Sequence, residues 1–340
     1  MKKTFVKLGL VLVLMLALFA LAACNGDDAD ANGNGDAAVT EDPIVIGIIQ
    51  IVEHPALDAA REGFIDGMAE AGFIDGENVI FDFQNAQGDH NTLSTIADGF
   101  ISRDVDLILA IATPSAQAVA AKTDTIPIVG TAITSYERAE LVDSNEVPGG
   151  NVTGTTDMNP VADQIDLAVE LVPDAETIGL IYSAQEANSV YQVEIAKAAI
   201  AELGLQYEER TVENTNDVQQ AMASLVRSAD VIYLPTDNVL ASAMAIVAEV
   251  ANEAGIATVC GEINMMNGGG LATKGIDYFD LGKLAASMAV RVLDGEDPAV
   301  MPIETVPADI TAINAETVEI LGITIPERLQ DYVVEVVPED

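Results

Sequence analysis

Polar side chains that could bind a small charged molecule recur where an apolar run ends and a helical pattern begins. Hydroxyls, amides and carboxylates dominate these positions, and no Lys or Arg occurs among them before Arg138. Ligands of open parallel sheets bind beyond the carboxyl ends of the strands, so we expect these side chains to share one cleft. The set comprises Gln50, Glu53, His54, Thr113, Ser115, Thr131, Ser135, Thr156, Asp157, Ser183, Glu186, Asn188, Ser189, Thr236, Asp237, Asn238, Glu262 and Asn264.

The shortage of cationic side chains indicates which ligand such a cleft would bind. A polyphosphate or a dicarboxylate is usually held by Arg or Lys. A single carboxylate can instead be held by free backbone N–H groups at helix N-termini, such as those expected at Thr113–Ser115, Asn188–Ser189 and Thr236–Asn238. The acids of the set could pair with an ammonium group, and the combination favours a zwitterion such as an α-amino acid. Each residue alone could equally be a helix N-cap, so this interpretation depends on the convergence of many residues.

Short apolar runs alternate with helical patterns from Ile44 onward, which predicts parallel sheets covered by helices. Two stretches, DVDLILAIATPSAQAVA (104–120) and SADVIYLPTDNVLASAMA (228–245), share one plan of acid, apolar run, Thr and Ala-rich helix. We therefore predict an α/β protein of two lobes joined near Gly154–Pro160, although any two βαβ units could share that plan. The expected strands are 44–51, 79–83, 106–111, 126–130, 151–154, 177–182, 205–212, 230–234, 257–260 and 270–273. The expected helices are 55–71, 93–102, one from Pro114, 188–203, 218–228 and 238–254.

The first residues predict the cellular location. Three Lys precede the apolar stretch Leu8–Leu21, which is too short for a mature membrane span and is typical of an export signal over 1–23. The stretch ends in Leu-Ala-Ala-Cys, which is similar to a lipoprotein lipobox with Cys24 as the lipidated residue; an ordinary signal peptide or a membrane anchor is the alternative. Residues 24–43 predict a flexible acidic tether. We therefore expect a protein that Cys24 anchors to the extracytoplasmic face of the cell membrane.

Composition and missing motifs exclude several function classes. A net charge of −41, from 55 acidic and 14 basic residues, argues against nucleic acid as a partner. Two cysteines cannot form a disulfide framework or a closed cysteine zinc site. The sequence has no dinucleotide fingerprint, no phosphate-binding loop, no nucleophile elbow and no HxxxH or CxxC spacing. We expect neither enzyme activity nor a cofactor or metal, with a carboxylate-dependent hydrolase as a remote alternative.

Six motifs together resemble those of one family. The chain has, in order, IVEHPALDAAREGFIDGMAEAG (51–72), ATPSAQAVA (112–120), NVTG (151–154), IYSAQEANS (181–189), LPTDN (234–238) and LATKGIDYFDLG (271–282). They resemble the ABC transporter substrate-binding lipoproteins of the type I periplasmic-binding-protein fold, in the branch with tryptophan- and other aromatic-amino-acid-binding members. The resemblance covers about 44–329.

The resemblance implies a clamshell architecture and a transport role. Two Rossmann-like lobes with parallel sheets would be joined by a three-strand hinge. The N-terminal lobe would comprise 44–154 plus about 277–298, including a helix over 280–293, and the C-terminal lobe 155–276 plus about 299–340. A monomer would close on a small ligand and deliver it to a membrane permease with its ATPase subunit. A receptor lipoprotein of the same fold that senses its ligand without transport is the alternative.

Combining the residues with the resemblance gives expected roles in the site. We expect Thr113–Ser115 and Asn188–Ser189 to hold the ligand's carboxylate, and Asp237 with Asn238 to bind its ammonium group. An aromatic or branched apolar side chain is the expected remainder of the ligand. Because the chain contains no Trp, a sugar held by indole stacking is disfavoured. The expected walls of the side-chain pocket are Gln50, His54, Leu57, Ile133 and Tyr278.

Overall fold

The structure, a computed structural model, describes residues 43–336 of the chain. The predicted export signal, the predicted lipidation site at Cys24 and nearly all of the predicted tether lie outside these residues. Within them the chain forms two α/β lobes, each built on its own sheet. This confirms the predicted fold class.

The first lobe contains a five-stranded parallel sheet in the order β2-β1-β3-β4-β5. The strands β1 and β3 are apolar and largely buried, as expected for central strands covered on both faces. The strands are β1 (Ile44–Gln50), β2 (Val79–Asn85), β3 (Leu107–Ile111), β4 (Ile128–Ile133) and β5 (Val152–Thr156). The connecting helices are α1 (Pro55–Glu70), α2 (His90–Ser102) and α3 (Thr113–Ala120).

The second lobe contains a seven-stranded sheet in the order β12-β11-β10-β9-β8-β6-β7, in which β11 runs antiparallel to β10. Its strands are β6 (Thr177–Ser183), β7 (Gln206–Val212), β8 (Val231–Leu234), β9 (Ala257–Cys260), β10 (Ala272–Gly275), β11 (Ile310–Asn314) and β12 (Val333–Val334). The helices of the second half of the chain are α4 (Val161–Leu171), α5 (Ala187–Glu202), α6 (Thr215–Leu225), α7 (Asn238–Ser242), α8 (Met244–Ala254), α9 (Ile263–Asn267), α10 (Tyr278–Leu293) and α11 (Ala315–Leu321).

The chain passes between the lobes after β5, after β10 and again before β11. After the second passage, α10 packs along α1 and contributes Leu281 and Met288 to the core of the first lobe. The two helices approach very closely, because a Cβ on Gly63 or on Gly282 would lie 2.0 Å from a backbone oxygen of the opposite helix. Helix α10 is therefore an integral part of the first lobe, although it follows most of the second lobe in sequence.

Several elements differ from the sequence-based expectation. That expectation lacks α4, α9, α11, β11 and β12, and it contains one helix over 238–254 where the structure has α7 and α8. The break falls at Ala243, and the Ser242 hydroxyl donates to the Asn238 carbonyl at 2.7 Å, a side-chain bond that competes with helix continuation. Strand β4 extends to Ile133 instead of ending at Gly130, with a register shift against β5. No helix within 43–336 is long and apolar enough to cross a membrane.

Candidate functional site

A small cavity lies between the two lobes. The first lobe contributes the beginning of α1, the end of β4 and the beginning of α10, and the second lobe contributes the beginnings of α5, α7 and α9. Most of the lining side chains are shielded from solvent, so the cavity is closed. The lining comprises His54, Ala56, Leu57, Ala132, Thr134, Asp157, Asn188, Thr236, Asp237, Asn238, Ala241, Glu262, Met265 and Tyr278.

Hydrogen bonds between the lobes and across the hinge hold the cavity closed. His54 Nε2 lies 3.1 Å from Asn238 Oδ1, and this contact joins the beginning of α1 to the beginning of α7. At the hinge, Asp157 accepts hydrogen bonds from the Thr134 hydroxyl at 3.0 Å and from the Tyr278 hydroxyl at 2.7 Å. Burial lowers the pKa of His54, which favours its neutral form.

Three carboxylates face the cavity, and each already accepts hydrogen bonds. Asp237 accepts from the backbone N–H of Ser183 at 2.6 Å and from that of Leu240 at 2.9 Å, so it also caps α7. Glu262 caps α9 through the N–H groups of Asn264 and Met265, at 2.6 and 2.7 Å. Burial raises the pKa of Asp157 and Asp237, and it raises the pKa of Glu262 to about 7. Burial therefore disfavours the ionised form of these three acids, and a cation in the cavity would favour it.

The amino end of α3 carries two hydroxyls that lack a partner. Thr113 and Ser115 are buried, and neither Thr113 Oγ1 nor Ser115 Oγ finds a hydrogen-bond partner within 43–336. The preceding Ala112 has a positive φ of 76°, which turns the chain sharply from β3 into the helix. Neither residue lines the cavity described above. Two free hydroxyls beside the first N–H groups of a helix could nevertheless bind an anionic group.

The beginning of α5 is tied to the loop before α7. Asn188 Nδ2 donates to the Thr236 carbonyl at 2.9 Å. Gln192 Nε2 donates to Thr236 Oγ1 at 2.5 Å, and Gln192 Oε1 accepts from the Thr236 N–H at 3.1 Å. These bonds fix the position of Asp237 relative to α5.

The structure brings together nine of the residues selected from the sequence. In this group, residues from both lobes and from the hinge converge on one closed space. They are His54, Leu57, Asp157, Asn188, Thr236, Asp237, Asn238, Glu262 and Tyr278.

The other selected residues lie outside the cavity lining. Gln50 donates to Val52 and to Asp58 at the beginning of α1. Ile133 belongs to the core of the first lobe, and Thr156 donates to the Thr134 carbonyl at 2.9 Å. Ser189 accepts from Asn188 Nδ2 at 3.3 Å. The remaining ones are Thr113, Ser115, Ser183, Glu186, Glu53, Thr131, Ser135 and Asn264.

Sequence reasoning missed five lining residues: Ala56, Ala132, Thr134, Ala241 and Met265. Thr134 lies between two residues that were selected, and it was missed because β4 is longer than its apolar pattern suggested. The alanines and Met265 carry no polar signal, but each lies within the first four residues of a helix or at the end of a strand.

A second, larger space, the mouth groove, lies between the lobes next to the closed cavity. Asn238 lines both the closed cavity and the mouth groove. Ser183 and Glu186 line the mouth groove but not the closed cavity. The groove is lined by Ile51, Val52, Gln87, Gly88, His90, Ser183, Gln185, Glu186, Glu213, Asn214, Thr215, Asn238, Val239 and Ser242. In the part of the chain that the structure covers, no cluster of three or more His, Cys, Asp or Glu residues could hold a metal ion.

Comparison with known proteins identifies similar chains. A curated tyrosine-binding protein from Clostridioides difficile is 43% identical over 276 residues, which span 81% of this chain and 80% of that protein. A solved structure of an ABC domain in complex with L-Trp from Streptococcus pneumonia has a TM-score of 0.83 and 36% identity, covering 86% of this chain and 100% of the other.

A third similar structure indicates the state of the lobes. The ligand-free, open structure of a substrate-binding protein with adhesive properties from Clostridium difficile is 41% identical and covers 86% of this chain and 100% of its own. Its TM-score is only 0.66, although its identity exceeds that of the L-Trp complex. The arrangement of the lobes described here is therefore closer to that of the L-Trp complex than to that of the open structure.

Sequence comparison with family models gives a match over nearly the whole described chain. The model of the ABC transporter substrate-binding protein family matches residues 45–337. Members of this family bind solutes and are not enzymes, in agreement with the expectation from the missing catalytic motifs. The two-lobed fold, the closed interlobe cavity and these matches lead to one conclusion: the chain belongs to the ABC transporter substrate-binding protein family.

Proposed function

We propose that this protein is the extracytoplasmic solute-binding lipoprotein of an ABC importer and that it binds an α-amino acid with an aromatic or branched apolar side chain. The ligand is held in the closed cavity and is delivered to a membrane permease when the lobes open. The observation that carries the proposal is the charge of the cavity. Three carboxylates face it, and none of its lining residues within 43–336 is Lys or Arg.

An ammonium group fits this charge distribution. Buried carboxylates are deprived of hydration, and a ligand cation compensates for that loss. Asp237, with Asn238 beside it, is the counter-charge that we propose, because it is 2% exposed and lies at the beginning of α7 where the two lobes meet. Asp157 and Glu262 line the same cavity and set the negative potential around it.

The ligand's carboxylate requires donors, and the helix N-termini supply them. Thr113 and Ser115, at the amino end of α3, lie outside the lining of the closed cavity, but their unpartnered hydroxyls and the first backbone N–H groups of the helix are available to a carboxylate that extends beyond that lining. The beginning of α5 at Asn188–Ser189 is the corresponding element of the second lobe. A carboxylate held between the two N-termini would favour the closed arrangement of the lobes.

The apolar part of the lining fits a large apolar side chain. Leu57, Ala132, Ala241 and Met265 present aliphatic and thioether surfaces, and Tyr278 adds an aromatic ring. The names of the similar proteins support an aromatic side chain, since one is called a tyrosine-binding protein and another was solved with L-Trp. All of these residues come from one chain, which supports binding by a monomer.

Anchoring through Cys24 to the outer face of the membrane completes the proposal. It is supported by the lipobox-like Leu-Ala-Ala-Cys at the end of an export signal. In a fractionation experiment we expect the full chain to pellet with membranes and a Cys24→Ser variant to appear in the soluble fraction. Continued pelleting of that variant would exclude lipid anchoring at Cys24.

A thermal-shift screen of the twenty amino acids tests the proposed ligand class. A ligand that binds only the folded state raises the melting temperature in proportion to the logarithm of its concentration above Kd. We expect L-tyrosine, L-tryptophan or another aromatic or branched apolar amino acid to raise it. Flat traces for all twenty, with an intact unfolding transition, would refute the proposal.

A further inference from the structure

Three hydrogen-bond donors converge on one carboxylate oxygen of Glu186. Glu186 Oε2 accepts from Asn188 Nδ2 at 3.1 Å, from the Asn238 N–H at 3.2 Å and from Asn238 Nδ2 at 2.7 Å. Glu186 immediately precedes α5, but its side chain reaches the beginning of α7. It is 4% exposed and lines the mouth groove instead of the closed cavity. Its direct partners, in contrast, face the closed cavity.

The first of these bonds fixes the orientation of the Asn188 amide. The two hydrogens of Asn188 Nδ2 are shared among three acceptors, Glu186 Oε2 at 3.1 Å, the Thr236 carbonyl at 2.9 Å and Ser189 Oγ at 3.3 Å. A rotation that exchanged the amide nitrogen and oxygen would place the oxygen against two acceptors. One is the Thr236 carbonyl, and the other is Glu186 Oε2, which already accepts the backbone N–H of Asn238 and therefore acts as an acceptor whether or not Glu186 is protonated. Asn188 Oδ1 is therefore directed away from them, and it has no partner in the described part of the chain. It is left as a buried acceptor in a residue that lines the cavity.

The second bond fixes Asn238 and, through it, the proton of His54. Because Asn238 Nδ2 donates to Glu186, Asn238 Oδ1 is the atom that meets His54 Nε2 at 3.1 Å. That oxygen can only accept, so His54 Nε2 carries the hydrogen and Nδ1 of the neutral ring is the acceptor. His54 Nδ1 is buried and finds no partner within residues 43–336.

We propose that Glu186 is a positioning residue that sets the hydrogen-bond polarity of the cavity. By orienting two amides, one carboxylate leaves Asn188 Oδ1 and His54 Nδ1 as acceptors in residues that line the cavity. Together with the three carboxylates of the lining, they select a ligand whose polar group offers several N–H or O–H donors. The identity of that ligand as an amino acid rests on the proposed function, whereas the orientation of the amides does not.

The first test uses the ligand-free protein and two variants of Glu186. Glu186→Gln retains a carbonyl oxygen at the position of Oε2, whereas Glu186→Met retains the length of the side chain without an acceptor. We expect the side-chain amide protons of Asn188 and Asn238 to exchange slowly with water in the wild type and in E186Q. In E186M they should exchange at least about 10-fold faster, because the shared acceptor is lost. Equal protection in E186M and in the wild type would overturn the proposal.

The second test measures binding of L-tyrosine and L-tryptophan by calorimetry. We expect E186M to weaken the better ligand by about 10-fold or more, and E186Q to bind within about 3-fold of the wild type. The control is Glu213→Met, which removes another carboxylate from the mouth groove and should bind as the wild type does. Melting temperatures of all variants separate a binding defect from a folding defect.

The outcomes of the two tests are distinguishable. If the wild type binds neither amino acid, the proposed function fails, while amide protection still decides the role of Glu186. If the wild type binds and E186M binds equally well, the positioning role is excluded and the proposed function stands. Equal loss of binding in E186Q and in E186M would also contradict the proposal, because it would assign the effect to the charge of Glu186 instead of its acceptor oxygen.

Discussion

At the scale of single residues, the three carboxylates of the cavity differ in the donors that they already accept. Asp237 and Glu262 are stabilised by backbone N–H groups at helix starts, whereas Asp157 accepts from the hydroxyls of Thr134 and Tyr278. In all three cases burial raises the pKa of the carboxyl group. A ligand cation would favour the ionised forms, so binding of the ligand and ionisation of the acids should reinforce each other.

Asp237 is predicted to be the counter-charge of the ammonium group. We expect Asp237→Asn to weaken binding of the amino acid by about 10- to 100-fold, since the charge is lost while an N-cap oxygen for α7 is kept. Calorimetric titration measures the change. The matched control is Asp277→Asn, because Asp277 caps α10 in the same way but lies outside the cavity lining. If D237N binds normally and Asp157→Asn does not, the ammonium site lies at Asp157.

The pH dependence of stability is a second prediction at this scale. Burial raises the pKa of Glu262 from 4.5 to about 7. Because the folded-state pKa exceeds that of the unfolded chain, the contribution of Glu262 to the stability of the ligand-free protein is fully present below pH 4.5 and is lost as the pH rises through about 7. The loss attributable to Glu262 is of the order of 3 kcal/mol, from about 1.4 kcal/mol for each pKa unit.

Thermal or denaturant unfolding between pH 5 and about pH 8 checks this prediction. Glu262→Gln should flatten the decrease, whereas Glu253→Gln, at an exposed position of α8, should leave it unchanged. An unaltered slope in E262Q would contradict the assignment.

The residues of the site were only partly accessible to sequence reasoning. Asp237 and His54 could be selected because polar residues at strand ends and helix starts are chemically conspicuous. Thr134 was not selected from the sequence, although Ile133 and Ser135 were. The strand β4 continues to Ile133, three residues beyond the expected end at Gly130, and its register against β5 shifts there. The role of Glu186 depends on partners at positions 188 and 238, and no local pattern reveals that these three side chains meet.

At the scale of elements, the packing of α10 on α1 brings Tyr278 and His54 to the same cavity. The contact requires glycine, since the missing Cβ of Gly63 faces Phe279 O and that of Gly282 faces Ala60 O, both at 2.0 Å. A side chain at either position would force the two helices apart. The site therefore depends on two residues that carry no functional group.

We predict that Gly63→Ala and Gly282→Ala each lower the free energy of unfolding by about 2 kcal/mol or more, because the overpacking involves backbone atoms that cannot move aside. Chemical denaturation provides the measurement. The control is Gly99→Ala in α2, where a Cβ would meet only the end of the Arg103 side chain at 3.9 Å. Higher helix propensity should make G99A as stable as the wild type or more stable by up to about 1 kcal/mol. Unchanged stability of G63A would show that the helices do not pack as described.

The sequence predicted ten of the twelve strands that the structure describes, β1 to β10, whereas β11 and β12 were not expected. Continuous β-branched runs such as Ile44–Ile51 are strong signals for central strands. Helix α4 was missed although Val161, Ile165 and Ala168 repeat at helical spacing; the expected elements resume only at the strand over 177–182, after the connection near Gly154–Pro160. The split between α7 and α8 coincides with a bond from the Ser242 hydroxyl to the Asn238 carbonyl, which the apolar pattern does not encode.

At the scale of the whole molecule, the interlobe contacts define the closed state. Outside the cavity, Arg138 of the first lobe forms an ion pair with Glu194 of α5, and its guanidinium group lies 5.0 Å from the ring centre of Tyr191. The hydrogen bond between His54 and Asn238 closes the cavity itself. Opening of the lobes must break both contacts, so each of them favours retention of the ligand.

We predict that Arg138→Ala weakens ligand binding by about 2- to 5-fold, mainly through faster release. The effect is small because the ion pair and the cation–π contact are exposed. Stopped-flow measurement of dissociation provides the check. The control is Arg103→Ala, which removes a similar ion pair with Asp82 and a contact with Phe100 within the first lobe. If R103A accelerates release as much as R138A does, the contact between the lobes is not responsible.

The most direct test of the account is a calorimetric comparison of L-tyrosine and L-tryptophan with analogues that lack one charge. Tyramine lacks the carboxylate, and 3-(4-hydroxyphenyl)propionate lacks the ammonium group. The account predicts that at least one of the two amino acids binds and that removal of either charge weakens its binding by about 100-fold, since a buried partner is left uncompensated. Binding of the analogue without an ammonium group as tightly as the amino acid itself would contradict the central claim.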